Sequence, residues 1–119
     1  MQKINLNEKL ALFDEQWSPK IIAELNGQQV KLAKLEGAFV WHHHEAEDEL
    51  FLVVKGRLRM EFRDREVSLE PGELIVVPRG VEHRPHAEGE VEVLLFEPAS
   101  TLHTGNVRDA RTVDTLEWI

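Results

Sequence analysis

The sequence contains no cysteine, which excludes disulfides and thiolate ligands, so any metal must be held by imidazole and carboxylate. That absence makes the cytoplasm the expected compartment. No apolar run exceeds Leu50 to Val54, far short of the roughly 20 residues that a membrane-spanning helix needs. The opening residues Met1-Gln2-Lys3-Ile4-Asn5 carry neither the hydrophobic core nor the small-residue cleavage site of a signal peptide, and are expected to stay in the mature chain. Basic residues are in the minority: 14 Lys and Arg stand against 22 Asp and Glu, a formal net charge of −8 at pH 7. So acidic a chain has no general affinity for phosphate backbones or anionic bilayers, and the expectation is no nucleic-acid and no membrane partner. With 119 residues, 42% of them hydrophobic and 30% charged, the chain is apolar enough to fold as a single domain, 1–119, around one core.

Leu6, Leu10, Phe13 and Trp17 recur at steps of four, three and four, the spacing of one helix face. This predicts an N-terminal helix within residues 1–18, capped by Asn5 or Asn7 and stopped at Ser18-Pro19, where proline disfavours helical geometry in the residue before it. From 20 to 97 the period changes to short runs rich in Val, Ile, Leu and Phe, separated by turn residues. They predict strands at 20–25, 28–35, 39–44, 49–54, 57–62, 65–69, 73–77, 82–86 and 91–97. Asn26-Gly27 suits the tight hairpin between the first two, since both residues tolerate positive φ. So many short strands after one short helix predict an all-β jelly roll or small barrel. Residues 98–119 read as a polar tail, anchored near its end by Leu116, Trp118 and Ile119.

The chemistry is concentrated in Trp41-His42-His43-His44-Glu45-Ala46-Glu47-Asp48-Glu49, which holds three of the chain's six histidines. Successive strand residues face opposite sides, so His42 and His44 share one face and His43 takes the other. Two imidazoles on one face can chelate a metal. If the chain turns and re-enters the sheet at Glu49, that carboxylate joins the inner face with Phe51 and Val53. A fourth ligand is available after the turn at Pro78-Arg79-Gly80, in His83. Glu45, Glu47 and Asp48 read as a solvated turn. Arg57, Arg59 and Arg63 alternate with Leu58, Met60 and Phe62, placing the arginines outside and the apolar set inside.

In these residues the chain resembles the cupin superfamily. His42-x-His44-x4-Glu49-x6-Gly56 matches the ligand part of its first motif, and Gly72-x5-Pro78-x-Gly80-x2-His83 matches its second. Gly37 precedes His42 by one residue fewer than the motif has, and Ala87 stands where the second motif ends in Asn. The resemblance implies a double-stranded β-helix, here over 20–97, with His42, His44, Glu49 and His83 as ligands of one divalent transition metal. Fe, Mn, Ni, Zn and Cu all suit three imidazoles and a carboxylate. It also implies open coordination positions, and hence a metal-dependent enzyme, dioxygenase-like or an isomerase or lyase, acting on a small oxygenated molecule. Glu49 is then the candidate catalytic base, and Phe51, Met60, Phe62 and His86 are candidates for the substrate pocket. The alternative is a non-catalytic cupin that binds or senses a small ligand. A homodimer is expected, paired through the N-terminal helix or the 20–35 hairpin, and residues 102–106 are expected near the cavity.

Overall fold

In the computed structural model, which describes residues 1–119, Asn26 and Gly27 have φ of 52° and 78°, the mirror-image turn that matches the twist of a two-residue hairpin. It joins β1 (Lys20–Leu25) to β2 (Gln28–Ala38), with Leu25 opposite Gln28. There follow β3 (Glu49–Lys55), β4 (Leu58–Phe62), β5 (Glu66–Leu69), β6 (Leu74–Val77), β7 (His83–Pro98) and β8 (Glu117–Trp118), after a single helix, α1 (Leu6–Leu10). The strands run β5-β4-β7-β2-β1-β8 in one mixed sheet, and β3 pairs with both β6 and β7. This is the expected all-β cupin-type barrel.

β7 is the common partner: it lies antiparallel to β2, β3 and β4. The predicted strands 82–86 and 91–97 are thus one element. Where they meet, the β2–β7 register slips between Leu35 and Gly37, and such a bulge bends a strand and raises its twist. The first half of β7 therefore pairs with β4 and the second with β3. The predicted strand at 39–44 is instead extended loop with a single bridge, His42 to His83. The extended backbone still keeps the predicted alternation of faces.

Two apolar layers form. Inside the barrel, Ala33, Leu35, Phe51, Val53, Met60 and Leu95 belong to a buried cluster; outside, Leu10, Phe13, Ile22 and Leu32 form a second one beneath α1. The helix is shorter than the periodicity predicts. Asn5 caps it, its Oδ1 accepting from the Glu8 N–H at 3.0 Å, and it ends at Leu10 because the four apolar residues serve two layers. Leu10 and Phe13 pack outside, whereas Trp17, at φ 59°, turns to the barrel mouth. At the tail, β8 pairs parallel to β1, Ile119 packs against the outer layer, and the Lys9 ammonium donates to the Ile119 carbonyl. No helix is long and apolar enough to cross a membrane.

Candidate metal centre

The two histidine segments are tied by their backbones. The His42 N–H donates to the His83 carbonyl at 3.1 Å and the His83 N–H to the His42 carbonyl at 2.9 Å, while the Gly80 N–H donates to the His44 carbonyl at 2.7 Å. Asp48 adds a clasp, accepting from the Arg79 N–H at 2.9 Å and from its Nε at 3.2 Å. Those hydrogen bonds hold the exposed Asp48 carboxyl below its ordinary range. The solvated turn at 45–48 therefore contains one residue that joins the two ligand loops, which the sequence reading missed.

The clasped loops place His42, His44, Glu49 and His83 so that one ligand atom from each lies within 4.8 Å of the others. All are buried. Nδ1 of His42 bonds the Val40 carbonyl and Nδ1 of His83 the Val81 carbonyl, each at 2.9 Å. A carbonyl only accepts, so both rings carry their proton on Nδ1 and leave Nε2 as a lone pair. Nε2 of His44 and of His83 approach Glu49 Oε1 at 3.2 and 3.4 Å, yet all of these atoms lack a hydrogen-bond partner. Buried polar atoms are rarely left so. Converging lone pairs on three nitrogens and one carboxylate oxygen fit a divalent transition ion, and the group can hold one.

Burial, with His83 alongside, lowers the pKa of His42 from 6.5 to about 4. The unfolded chain takes up a proton below about 6.5 that the folded one refuses, so stability is full above that pH and falls between 6.5 and about 4. For metal-free protein we expect a loss of about 2 kcal/mol between pH 7 and 5, read as a lower Tm by circular dichroism. A Tm unchanged over that interval would contradict a neutral, buried His42.

Of the cluster, His42 and Glu49 line a small cavity of about 30 Å³, together with Trp17, Phe39, Phe51 and His103. Trp17 and Phe39 stack with centroids 4.4 Å apart. Residues 28–104 match the family model of the cupin domain. The chain belongs to the cupin family. Among solved structures, a cupin-2 domain containing protein from Shewanella frigidimarina is 49% identical, with a TM-score of 0.79 over 80% of this chain and 93% of that one. A protein from Neisseria meningitidis is 36% identical, with a TM-score of 0.75 over 82% of this chain and 100% of its own. The curated protein YdbB of Bacillus subtilis is 41% identical over 64 residues, which span 53% of this cupin and 57% of YdbB.

Behind Glu49 the cupin barrel holds a charged pair that the motifs do not include. Leu50 faces Phe96 and Phe51 faces Leu95, so the next step along the ladder sets Glu97 beside Glu49 on the inner wall. Lys31 Nζ reaches Glu97 Oε1 at 2.8 Å with both side chains no more than 1% exposed. Glu97 Oε2 has no partner. Burial and the neighbouring Glu49 charge push the Glu97 carboxyl well up against the pull of Lys31. Burial would raise Glu49 as well, but the imidazoles of His44 and His83 outweigh it and hold Glu49 low.

Of the predicted pocket residues, Phe51 lines the cavity, while Met60, Phe62 and His86 do not. Met60 is wholly enclosed in the inner core. Phe62, at the end of β4, packs only partly against that core and borders a surface groove with Arg63 and Val76. His86 is three residues beyond the inward His83 and therefore points outward, opposite Arg59. There its Nδ1 lies 2.6 Å from Arg59 and 3.0 Å from Glu61. The arginines face outward as predicted, with Arg57 on Glu70 and Arg63 on Glu82.

The segment 102–106 reaches the site more directly than the sequence implies. Asn106 brackets His43: its Oδ1 accepts from the His43 N–H at 2.9 Å and its N–H donates to the His43 carbonyl at 3.1 Å. Between them Gly105 passes so close that a Cβ would overlap the His43 carbonyl oxygen and lie 2.9 Å from His42 Cδ2, and its φ is +59°. Gly105→Ala should destabilise the protein by about 1–3 kcal/mol and weaken metal uptake by displacing the ligand loop. Wild-type Tm and metal content in that variant would show the strap to be slack.

Proposed function

We propose that this cupin is a metal-dependent enzyme acting on a small oxygenated molecule that chelates the metal through two oxygens, with dioxygenase-like chemistry as the first form and isomerase or lyase chemistry as the second. One observation carries it: three imidazoles and a carboxylate converge, with Nε2 of His44, Nε2 of His83 and Oε1 of Glu49 left without hydrogen-bond partners, and His42 and Glu49 border a small cavity. A divalent transition ion there supplies Lewis acidity toward a carbonyl or enolate and, as iron or copper, redox chemistry with dioxygen. His42, His44 and His83 fix the geometry, with four protein ligands leaving one or two positions for the molecule to occupy. Glu49 would serve as the base on leaving the ion, and Phe39, Phe51 and Leu95 keep water from the reacting face. Mass-spectrometric metal analysis tests the reading: about one ion per chain is expected, and none after reconstitution would overturn it. Once a substrate is found, Glu49→Gln should keep the ion and lose turnover, and unchanged turnover would exclude the base role.

The second reading, a non-catalytic ligand-binding or sensing cupin, is favoured by a lining in which Glu49 is the only carboxylate. It predicts saturable binding and thermal stabilisation without product. We place the protein in the cytoplasm, where an absence of cysteine is unremarkable. We also infer a homodimer. The outer faces of α1 and the β1–β2 hairpin already bury their apolar side chains against each other, whereas Leu74 and Val76 on β6 remain 55% and 51% exposed, beside Leu52 and Leu50 of β3. Leu74→Glu with Val76→Glu should give a monomeric mass in sedimentation at micromolar concentration; a wild-type monomer would refute the pairing.

A further inference from the structure

Two spaces border the four ligands, and they differ in size and in chemistry. The inner cavity beside His42 and Glu49 has about 30 Å³ of room, the share of roughly one water molecule, and Trp17 and Phe39 stack at its wall. Its lining is mainly hydrocarbon. A groove of about 390 Å³ lies on the loop side, bordered by His43, His44, Glu45, Glu47, Ser100 and Asn106, with no lysine or arginine in its lining. A divalent cation arrives with a shell of water. The inner cavity cannot take in that shell, whereas the groove can, and it offers carboxylates to replace the waters.

Of the four ligands it is His44 that borders the groove, and its ring is held differently from the other two imidazoles. His42 and His83 are fixed through Nδ1 by the Val40 and Val81 carbonyls. The backbone of His44 is pinned, its carbonyl accepting from the Gly80 N–H at 2.7 Å. The ring is not: its side chain is only 2% exposed, yet neither nitrogen has a hydrogen-bond partner. Such a ring can turn about its own side-chain bonds without breaking a hydrogen bond. On the rim, Glu45 lies 3.6 Å from His43 Nε2, and Glu47 accepts from the Ser100 hydroxyl at 3.0 Å. A carboxylate accepts more than one such bond, so both acids keep capacity for a cation. Charge of one sign along a cleft also raises the local concentration of its counter-ion and the rate of its capture.

We propose that this groove is the cation entrance of the site: Glu45 and Glu47 gather a hydrated divalent cation, and the His44 ring swings aside to admit it and then closes as a ligand. The inference rests on the metal reading and adds the route to it.

Stopped-flow absorbance with cobalt(II) chloride, whose visible spectrum changes on nitrogen and carboxylate ligation, tests the route on chelator-treated full-length protein. The variants are Glu45→Gln with Glu47→Gln, the same charge change on the N-terminal segment as Glu8→Gln with Asp14→Asn, and Trp17→Ala, which widens the inner cavity. We expect association about threefold to tenfold slower in the groove pair at low ionic strength, a difference that shrinks in salt, at near wild-type Tm. The other two variants should stay within about twofold of wild type. Wild-type rates in the groove pair, equal slowing in the N-terminal pair, or faster uptake in Trp17→Ala each overturn this inference alone. Imidazole nitrogen spectra of the metal-free protein test the ring separately: His42 and His83 should each show one fixed Nδ1–H form, and His44 averaged or broadened signals. A His44 ring as fixed as the other two overturns its part as the moving ligand. Wild type that takes up no transition ion at equilibrium overturns the metal reading and this inference with it.

Discussion

Restoring a divalent transition ion to chelator-treated protein should raise its Tm by on the order of 15 °C, and the same addition to His44→Ala should raise it little or not at all. At a free ion concentration a thousand times Kd, binding to the folded state alone contributes about 4 kcal/mol. For a domain of this size each kcal/mol shifts Tm by several degrees. His44 is the informative ligand because neither of its ring nitrogens serves a backbone group, its one polar neighbour being the fellow ligand Glu49. Replacing His42 or His83 orphans a backbone carbonyl that its Nδ1 now serves, mixing a folding defect with metal loss. The His44→Ala protein should instead melt within a few degrees of metal-free wild type. Calorimetric scans with and without metal decide it: no response in wild type, or equal responses in both proteins, is incompatible with this site.

The second large effect is expected at Lys31. Lys31→Met leaves Glu97 and Glu49 as facing buried carboxyls with no nearby ammonium, and breaking a fully buried pair costs about 3–5 kcal/mol. The loss should be greatest near neutral pH. A carboxyl whose folded pKa is raised, as burial raises Glu97, binds a proton more readily folded than unfolded, so acidification relieves the defect as pH falls through that pKa. Adding Glu97→Leu to Lys31→Met should recover most of the stability, since a buried ion pair replaced by packed hydrocarbon is often neutral or better. Urea denaturation of the two variants at pH 7 and 5.5 measures both points. An additive loss in the double variant would mean that Lys31 and Glu97 act independently.

The four ligands were legible because their signal is local: a fixed spacing, and side chains that alternate even where the chain makes only one bridge. Lys31 and Glu97 carried the same alternation, Lys31 with Ala33 and Leu35, Glu97 with Val91, Val93 and Leu95, but their charge argued for the surface. What reverses that argument is tertiary. Because α1 covers the outside of β2, Leu32 finds an apolar setting there and Lys31 is left to the interior. Trp17 failed for a related reason, since a helical period extends only as far as one layer can accept its residues. The roles of Asp48 and Gly105 depend on contacts with distant segments, which no spacing in the chain reports. Met60, Phe62 and His86 were placed by strand membership alone; His86 is on the wrong parity from His83.

The position of β7 late in the chain sets the order in which the protein can fold. β1 with β2, β4 with β5 and β3 with β6 can pair soon after synthesis, but Gln28 waits for Pro98, Leu50 for Phe96 and Arg59 for His86. Pairings so distant in sequence make for slow folding, in the range of milliseconds to seconds. Until β7 is made, one edge of Leu50 to Val54, an uncharged, strongly β-forming run, stays open. Such an edge invites another nascent chain. Yield on expression should therefore depend on how quickly residues 83–98 follow, and a synonymous slowdown just upstream of them is where aggregation would begin.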